Sequence, residues 1–272
     1  MRAGPVGVFD SGVGGLSVLQ ALRTELPQQD FIYIADSGNA PYGERDDAFV
    51  TARSRALTTW LLGQGIQALV IACNTATAAA IDLLRAEHPH LPIIGVEPAL
   101  KPAAALSKTK RIGVMATRGT LTSARFRTLL GTLSPQAGFV LQPCDGLAEA
   151  IEQAAGRPES APELIAACAS HTRAMGRFGL KDGEMDTLVL GCTHYPFASE
   201  ILRALLGPDV HLVDTGVPVA RQTRLRLLAA DSPVANRVGQ LQLFTTGQPA
   251  LLQTAVQRWL QLDNTVAPLH LA

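Results

Sequence analysis

One short pattern occurs twice in this chain and limits the folds open to it. In residues 68–75, and again in residues 187–194, an apolar run with strand character ends in a small residue and a cysteine, and polar side chains follow. The sequence after each cysteine can form a helix. The repeat therefore predicts two equivalent strand, cysteine and helix units, with Cys73 in one half of the molecule and Cys192 in the other.

Short apolar runs alternate with helical patterns along almost the whole chain, which is typical of βαβ units and a mainly parallel sheet. We expect strands at residues 5–9, 31–35, 67–72, 92–96, 111–116, 138–143, 186–191, 210–213 and 240–245. A last helix is expected from Pro249 to about Leu262. The predicted fold class is α/β, with mainly parallel sheets flanked by helices.

A second repeat suggests how the chain is divided. Residues 6–10, followed by a glycine-rich turn and a helix, resemble residues 112–117, which are also followed by a turn and a helix. Two similar lobes are therefore expected, the first formed by residues 1–97 with 208–272 and the second by residues 98–207. We expect the active site in the crevice between the two lobes.

The amino-acid composition argues against nucleic acid and membrane surfaces as partners. The 272 residues are 47% apolar, and Lys plus Arg balance Asp plus Glu at 23 each, so the chain has no electrostatic footprint for nucleic acid or for an anionic membrane surface. No leader pattern and no run of roughly 18 apolar residues is present, which predicts a cytoplasmic protein with reduced cysteines. Cys144 and Cys168 are expected to pack in the interior.

Polar side chains follow strand after strand, where open parallel sheets bind their ligands. These residues are Asp10, Ser11, Asp36, Ser37, Cys73, Asn74, Thr75, Thr117, Cys192, Thr193, His194, Asp214 and Thr215. A cysteine between a strand end and a helix N-terminus lies where backbone N–H groups and the helix dipole favour a thiolate. The two cysteines are therefore candidates for a pair of acid/base groups acting on one substrate.

Two loops have alternative interpretations. Residues 10–15 are rich in glycine but lack the full G-x-G-x-x-G spacing, so a dinucleotide site is disfavoured. The glycines either let backbone N–H groups approach a ligand, with Asp10 pointing into the crevice, or form a tight turn that Asp10 caps. In residues 36–43, Tyr42 and Gly43 either close over a ligand, offering a backbone N–H and a phenol, or form an ordinary turn with Tyr42 packed.

Metal and cofactor sites are not expected. The chain has no H-E-x-x-H motif, and His88 and His90 form an isolated pair in a predicted surface turn. No lysine is placed as an obvious Schiff-base residue for pyridoxal phosphate. The expected chemistry uses neither a metal nor a cofactor.

The motifs together resemble those of bacterial glutamate racemase, a member of the aspartate/glutamate racemase superfamily. They are D-S-G-V-G-G-L-S-V at 10–18, P-Y-G at 41–43, A-C-N-T-A at 72–76, G-V-E-P at 95–98, A-T at 116–117, G-T at 119–120, G-C-T-H-Y-P at 191–196 and V-D-T at 213–215. They extend through nearly the whole chain in the family's order. Ser17 stands where the family usually has threonine.

The resemblance implies a cofactor-independent racemase that supplies D-glutamate for peptidoglycan. It implies that Cys73 and Cys192 are the two bases, that Asp10 assists Cys73 and that His194 assists Cys192. The residues that would contact glutamate are Asp10, Ser11, Tyr42, Gly43, Asn74, Thr75, Thr193 and His194. The family also has an acidic residue after its sixth strand, for which Glu152 is the best match and Glu149 is close.

Three alternatives stay open on the sequence. An aspartate racemase and a one-cysteine decarboxylase belong to the same superfamily, although the second cysteine argues against the decarboxylase and the motif set argues against aspartate. A non-catalytic two-lobed amino-acid-binding protein would use both thiols only for packing. The sequence does not give the oligomeric state, so a homodimer is an open alternative.

Overall fold

The structure, a computed structural model, describes residues 4–156, 161–229 and 237–271. The strands β1 to β10 are Val6–Asp10, Phe31–Ala35, Ala68–Ile71, Ile93–Gly95, Arg111–Ala116, Gly138–Pro143, Thr187–Gly191, His211–Val213, Leu241–Thr245 and Val266–Pro268. The helices α1 to α11 are Leu16–Glu25, Asp47–Gly63, Asn74–Glu87, Leu100–Leu106, Arg118–Thr122, Ala124–Leu133, Leu147–Gly156, Ala161–Met175, Ser199–Leu206, Gly216–Ala229 and Pro249–Ala255.

Contacts within the chain divide it into two lobes. The first lobe is Met1–Val96 with Gly216–Ala272, and the second lobe is Glu97–Thr215. Short 3-10 turns cover Ser37–Asn39 and Tyr42–Glu44 in the first lobe and Tyr195–Ala198 in the second. A π-helical turn, Val256–Leu260, follows α11.

The first lobe is built on a six-stranded parallel sheet in the order β10-β9-β2-β1-β3-β4. Its central strands are buried along their whole length, which explains their continuous apolar sequence. Helices α2 and α3 pack on each other, and one buried cluster joins Phe9 and Ile71 of the sheet to Leu57 and Leu61 of α2 and Leu84 of α3. Each such side chain contributes roughly 1.5–3 kcal/mol by leaving water.

The second lobe is built on a four-stranded parallel sheet in the order β6-β5-β7-β8. Its core joins Val114 of β5 and Val189 of β7 to Leu100 of α4 and to Phe126 and Leu133 of α6. In both lobes the strands are parallel, so the carboxyl ends of neighbouring strands lie at the same edge of the sheet. The polar residues that follow those strands are thereby gathered at one edge of each lobe.

The α/β class, with mainly parallel sheets flanked by helices, is confirmed. Every expected strand is present, with its ends within one residue of the expected positions. The short strand β10 was not expected, and the last helix gives way to the π-helical turn after Ala255 and ends at Leu260 rather than at about Leu262. No helix in the described ranges is long and apolar enough to cross a membrane.

The point at which the chain returns to the first lobe differs from the expected one. The sequence predicts a return at residue 208, whereas residues up to Thr215 belong to the second lobe. The physical reason is strand pairing, because β8 forms its ladder with β7, with Thr187 opposite His211. The first boundary lies between Val96 and Glu97, one residue before the expected one.

Candidate active site

Asp10 ends β1 with a fully buried carboxylate. Its Oδ2 atom accepts a hydrogen bond from the backbone N–H of Gly15 at 2.6 Å, and the Ser11 hydroxyl lies 3.5 Å from its Oδ1 atom. A Cβ on residue 15 would lie 2.6 Å from Cβ of Asp10 and 2.9 Å from Oη of Tyr33, which is closer than real Cβ atoms come. Gly15 therefore lets the turn close directly over the carboxylate.

Cys73 follows β3 and occupies the N-cap position of α3, with extended backbone angles of φ −139 and ψ 122. Its Sγ atom accepts from the N–H of Ala76 at 3.5 Å and lies 3.6 Å from Oγ of Ser11. The thiol is 5% exposed. A sulfur at this position meets the positive end of the helix, which stabilises negative charge on it. The structure thus brings Cys73, Ser11 and Asp10 together at the ends of β1 and β3.

The first turn of α3 carries two further buried polar side chains, Asn74 and Thr75. Neither the amide nitrogen nor the amide oxygen of Asn74 has a hydrogen-bond partner among the described residues. A buried amide left without partners costs about 1–3 kcal/mol. An amide next to a thiol at a strand end is therefore well suited to receive a polar ligand.

Asp36 and Tyr42 contact each other. The Tyr42 hydroxyl donates to Oδ2 of the fully buried Asp36 at 2.5 Å, and the Tyr42 side chain is 1% exposed. Arg53 of α2 donates to both carboxylate oxygens of Asp36. Burial, followed by the charge of Asp36, raises the pKa of Tyr42, so its phenol stays protonated. The Tyr42 side chain is packed in the interior, as one of the two interpretations of this loop predicts. Gly43 is half-buried in the Tyr42–Glu44 turn.

In the second lobe, Cys192, Thr193 and His194 follow β7 and are all buried. The Sγ atom of Cys192 lies 3.7 Å from Nδ1 of His194. On its other side, Nε2 of His194 lies 2.7 Å from Oε1 of Glu152 on α7. The ring is therefore held between a thiol and a carboxylate.

The charge state of His194 follows from these neighbours. Burial by itself lowers the pKa of His194, but the hydrogen bonds and charges of Cys192 and Glu152 outweigh that effect and raise it well above 6.5. The imidazolium form is therefore favoured near neutral pH. It places a positive charge beside the Cys192 sulfur and can pass a proton to it.

The structure distinguishes the two acidic candidates of α7. Glu152 is the carboxylate that contacts His194. Glu149 is exposed and accepts a hydrogen bond from Gln153 one helical turn further along. Since only Glu152 contacts the strand-end residues, it is the better match to the acidic residue that the resemblance implies.

Thr117, also singled out in the sequence, caps a helix. Its Oγ1 atom accepts from the N–H of Thr120 at 3.2 Å, at the N-terminus of α5. The carboxylate of Asp145, which follows β6, pairs with Arg118 of α5. Helix α5 therefore links the carboxyl ends of β5 and β6. Thr117 thus has a structural role as the N-cap of α5.

The two remaining cysteines differ from Cys73 and Cys192 in their surroundings. Burial raises the pKa of Cys168 to about 11, and burial with the neighbouring Cys192 raises the pKa of Cys144 as well. The Cys144 thiol donates to the carbonyl of Gln142, and its own carbonyl accepts from Oη of Tyr195 at 3.4 Å. Cys144 and Cys168 therefore stay neutral thiols at physiological pH.

The residues described in the structure contain no group of three or more His, Cys, Asp or Glu that could hold a metal ion. What each lobe offers instead is acid/base chemistry. In each, a buried thiol at the end of a parallel strand lies beside polar groups able to stabilise charge or move a proton. The sequence did not indicate Arg53, because it lies in mid-helix on α2 with no local motif around it.

The chain is similar to known racemases in sequence and in fold. Residues 14–223 match the family model described as Asp/Glu/Hydantoin racemase. A glutamate racemase from Ectopseudomonas mendocina (strain ymp) is 48% identical over 236 residues, which cover 87% of this chain and 86% of that protein.

Two solved structures have the same fold over nearly their whole length. Glutamate racemase isoform RacE1 from Bacillus anthracis superposes with a TM-score of 0.86 at 29% identity, covering 99% of this chain and 98% of that one. Escherichia coli glutamate racemase, solved with L-glutamate and the activator UDP-MurNAc-ala, has a TM-score of 0.83 at 31% identity and covers 99% of both chains. The chain belongs to the Asp/Glu/Hydantoin racemase family and, within it, to the glutamate racemases.

Proposed function

We propose that this enzyme interconverts L- and D-glutamate with Cys73 and Cys192 as its two acid/base groups. The observation that carries the proposal is the equivalence of the two thiols. Each follows a buried parallel strand at its carboxyl end, and each has a charge-stabilising group within hydrogen-bond range of its sulfur. Packing alone does not require such neighbours. Burial is the cause that raises the pKa of Cys168, and at Cys144 burial outweighs the hydrogen bond from Tyr195 and raises the pKa of the thiol.

Racemisation needs a base on one face of the α-carbon and an acid on the other. A thiolate removes the α-proton and becomes a thiol, and the electron pair of the broken C–H bond passes into the planar carbanion next to the carboxylate. The second thiol gives its proton to the opposite face and becomes a thiolate. No atom or electron is gained or lost, so the reaction requires no cofactor. In the reverse direction the two cysteines exchange roles.

The two thiols would be prepared in different ways. The N-terminus of α3 and the Ser11 hydroxyl lie within hydrogen-bond range of the Cys73 sulfur, and Asp10 lies beside Ser11. Cys192 would exchange its proton with His194, whose other ring nitrogen contacts the Glu152 carboxylate. The asymmetry suits a reaction in which one sulfur starts as the thiolate and the other as the thiol.

Substrate binding is assigned to polar groups at the same strand ends. We propose that Asn74, Thr75 and Thr193 donate to or accept from the amino and carboxylate groups of glutamate, together with the backbone of Tyr42 and Gly43. The unpartnered amide of Asn74 supports this assignment. Negative charge grows on the substrate carboxylate as the proton leaves, and fixed donors stabilise it.

The biological role and the partner follow from the same proposal. The enzyme would supply D-glutamate for peptidoglycan, with glutamate as its small-molecule substrate. The glutamate racemases among its relatives, one of them solved with L-glutamate, support this choice over aspartate.

The test is α-proton exchange and chiral analysis in D2O. Native enzyme should interconvert L- and D-glutamate and incorporate deuterium at the α-carbon. Cys73→Ala and Cys192→Ala should each lose about 10²–10⁴-fold in interconversion. Cys168→Ala, which also removes one buried thiol, is the matched control and should keep the native rate.

Two results would overturn the proposal. Native protein that converts neither enantiomer of glutamate would exclude the substrate, and conversion of aspartate in the same assay would favour the aspartate racemases. A Cys73→Ala or Cys192→Ala variant with native activity would exclude the two-thiol mechanism while leaving the substrate in place.

A further inference from the structure

One buried carboxylate organises the loop that follows β2. Both oxygens of Asp36 are hydrogen-bonded, and the donors are Nε and Nη2 of Arg53, Oη of Tyr42, Nδ2 of Asn39 and Oγ1 of Thr246, at 2.5 to 3.0 Å. Asp36 is fully buried, and the Arg53 side chain is 18% exposed. A charge buried with this many donors is costly to disturb, because removing a partner leaves the carboxylate uncompensated.

The donors come from three separate parts of the first lobe. Asn39 and Tyr42 lie in the loop itself, Arg53 lies on α2, and Thr246 follows β9 near the end of the chain. Thr246 also accepts from the backbone N–H of Gly38 at 3.1 Å. The cluster therefore fixes the loop from both sides, between α2 and the segment after β9.

The same loop lies against the helix that begins at Cys73. The Tyr42–Glu44 turn contacts α3, and Tyr42 and Cys73 belong to one buried cluster. Charge on Cys73 is among the causes that raise the pKa of Tyr42, which also indicates that the two side chains are close. A substitution at Asp36 would therefore shift the Tyr42–Glu44 turn beside Cys73, and it would not act directly on the reacting atoms.

We propose that Asp36 and Arg53 are positioning residues for the substrate, acting together through Tyr42 to hold the Tyr42–Glu44 turn in its binding position beside Cys73. This inference rests on the proposed function, in which the backbone of that turn binds glutamate. The phenol of Tyr42 is used internally, as a donor to Asp36, and takes no proton in the reaction. The Arg53 guanidinium donates to both oxygens of the Asp36 carboxylate and places a positive charge beside it.

This role predicts a separation of binding from turnover. A turn that binds the substrate equally well before and during proton transfer affects KM and leaves kcat nearly unchanged. Tyr42→Phe removes only the hydroxyl, so it should raise KM several-fold with kcat within about threefold of native. Arg53→Met should raise KM by about tenfold or more, and Arg53→Lys, which restores the charge with one donor fewer, should recover part of that loss.

The control is on the same helix. Arg55 of α2 is also paired with a carboxylate, Glu87 of α3, but the pair is exposed. Arg55→Met should therefore leave both KM and kcat unchanged. A double-mutant cycle of Tyr42→Phe with Arg53→Met should be non-additive in KM, because both variants act through the one carboxylate.

The experiment measures KM, kcat and the calorimetric Kd for glutamate, with circular dichroism to establish folding. Unchanged KM and Kd in folded Tyr42→Phe and Arg53→Met would overturn the inference, as would a loss of kcat alone in Tyr42→Phe, which would place the phenol on the reacting atoms. If native protein binds glutamate without racemising it, the proposed function fails while the Kd ratios still decide this inference. If native protein does not bind glutamate, both fail.

Discussion

The Nε2 atom of His194 lies 2.7 Å from Oε1 of Glu152, while Nδ1 of the same ring faces the Cys192 sulfur at 3.7 Å. One imidazole thus connects a carboxylate on α7 with a thiol at the end of β7. The ring is buried, whereas the Glu152 side chain is 31% exposed. In the proposed mechanism, these contacts would give Cys192 a route for proton exchange with solvent.

Glu152→Gln tests this route. The amide keeps the shape of the side chain but removes the charge that helps to raise the pKa of His194, so the imidazolium should lose its proton at a lower pH. We expect kcat to fall about tenfold to hundredfold at neutral pH, and the alkaline limb of the pH profile to move to lower pH. Glu149→Gln on the same helix is the control and should behave as native. Identical pH profiles for the native enzyme and Glu152→Gln would contradict the assignment.

Gly15→Ala tests the close approach over Asp10. The added methyl group would overlap Cβ of Asp10 and the hydroxyl of Tyr33, so the turn must shift. We expect a loss of about 1–3 kcal/mol in the free energy of unfolding and a large drop in activity. Gly63→Ala, at the end of α2 where the new Cβ meets nothing within 4 Å, should instead stabilise by about 0.4–1 kcal/mol. Urea denaturation of both variants measures the difference, and equal stabilities would contradict it.

Asn74→Ala should separate stability from function. The amide is buried without partners in the described structure, so its removal should leave the Tm of the ligand-free enzyme unchanged or higher. In the proposed mechanism Asn74 binds glutamate, so the rise in Tm on adding glutamate should shrink and KM should increase by about tenfold. Thermal denaturation with and without glutamate decides the point. A Tm that falls in the absence of ligand while KM stays native would indicate a structural amide.

The Asp186 carboxylate should make the stability of the second lobe depend on pH in the acid range. Its buried carboxylate accepts hydrogen bonds from the side chains of Ser107 and Thr187 and from the backbone N–H groups of Lys108 and Thr109. Burial acts to raise the pKa of Asp186, but these hydrogen bonds outweigh it and lower the value to about 2. Because the folded pKa lies below the unfolded one, the stabilisation is present above about pH 4 and is lost as the pH falls through 2.

Asp186→Asn should therefore reduce the free energy of unfolding by about 2 kcal/mol at pH 7. The difference from native should narrow as the pH approaches 2. Activity of the folded variant should not change, because Asp186 precedes β7 and lies at the opposite end of that strand from Cys192. A gap in stability that is constant from pH 7 to pH 2 would show that the ionised carboxylate is not the stabilising group.

Most of the architecture could be predicted because each central strand is a continuous apolar run between helical patterns. The runs at Val6–Asp10 and Ala68–Ile71 are buried on both faces, so their composition alone identified them. Strand β10 escaped prediction because Val266–Pro268 is three residues long and ends in proline. The pairing of β8 with β7 could not be predicted either, since a three-residue strand carries no information about its neighbour.

From the residues alone, the candidate site could be predicted only where its side chains lie next to a strand end, and Glu152 was named only through the family resemblance. Cys73 and Cys192 were found that way, because each directly follows a strand or its last small residue. Glu152 and Arg53 lie on helices and reach their partners across the fold, at sequence separations of 42 and 17 residues. The Asp10 carboxylate closes the tight turn before α1 by accepting from the N–H of Gly15, the N-cap residue, while its contact with a ligand stays a prediction.

The strand order of the first lobe also affects how the protein is made. Strand β2 is a neighbour of β1 on one side, and its other edge is covered only by β9, which is synthesised about 200 residues later. A ribosome-bound chain therefore exposes an apolar strand edge, a template for pairing with other chains, until almost all of the protein has emerged. The second lobe is continuous in sequence and can complete its own sheet earlier. In the cell, chaperones should accordingly bind mainly to the N-terminal segment, whose sheet is completed only when β9 and β10 have been synthesised.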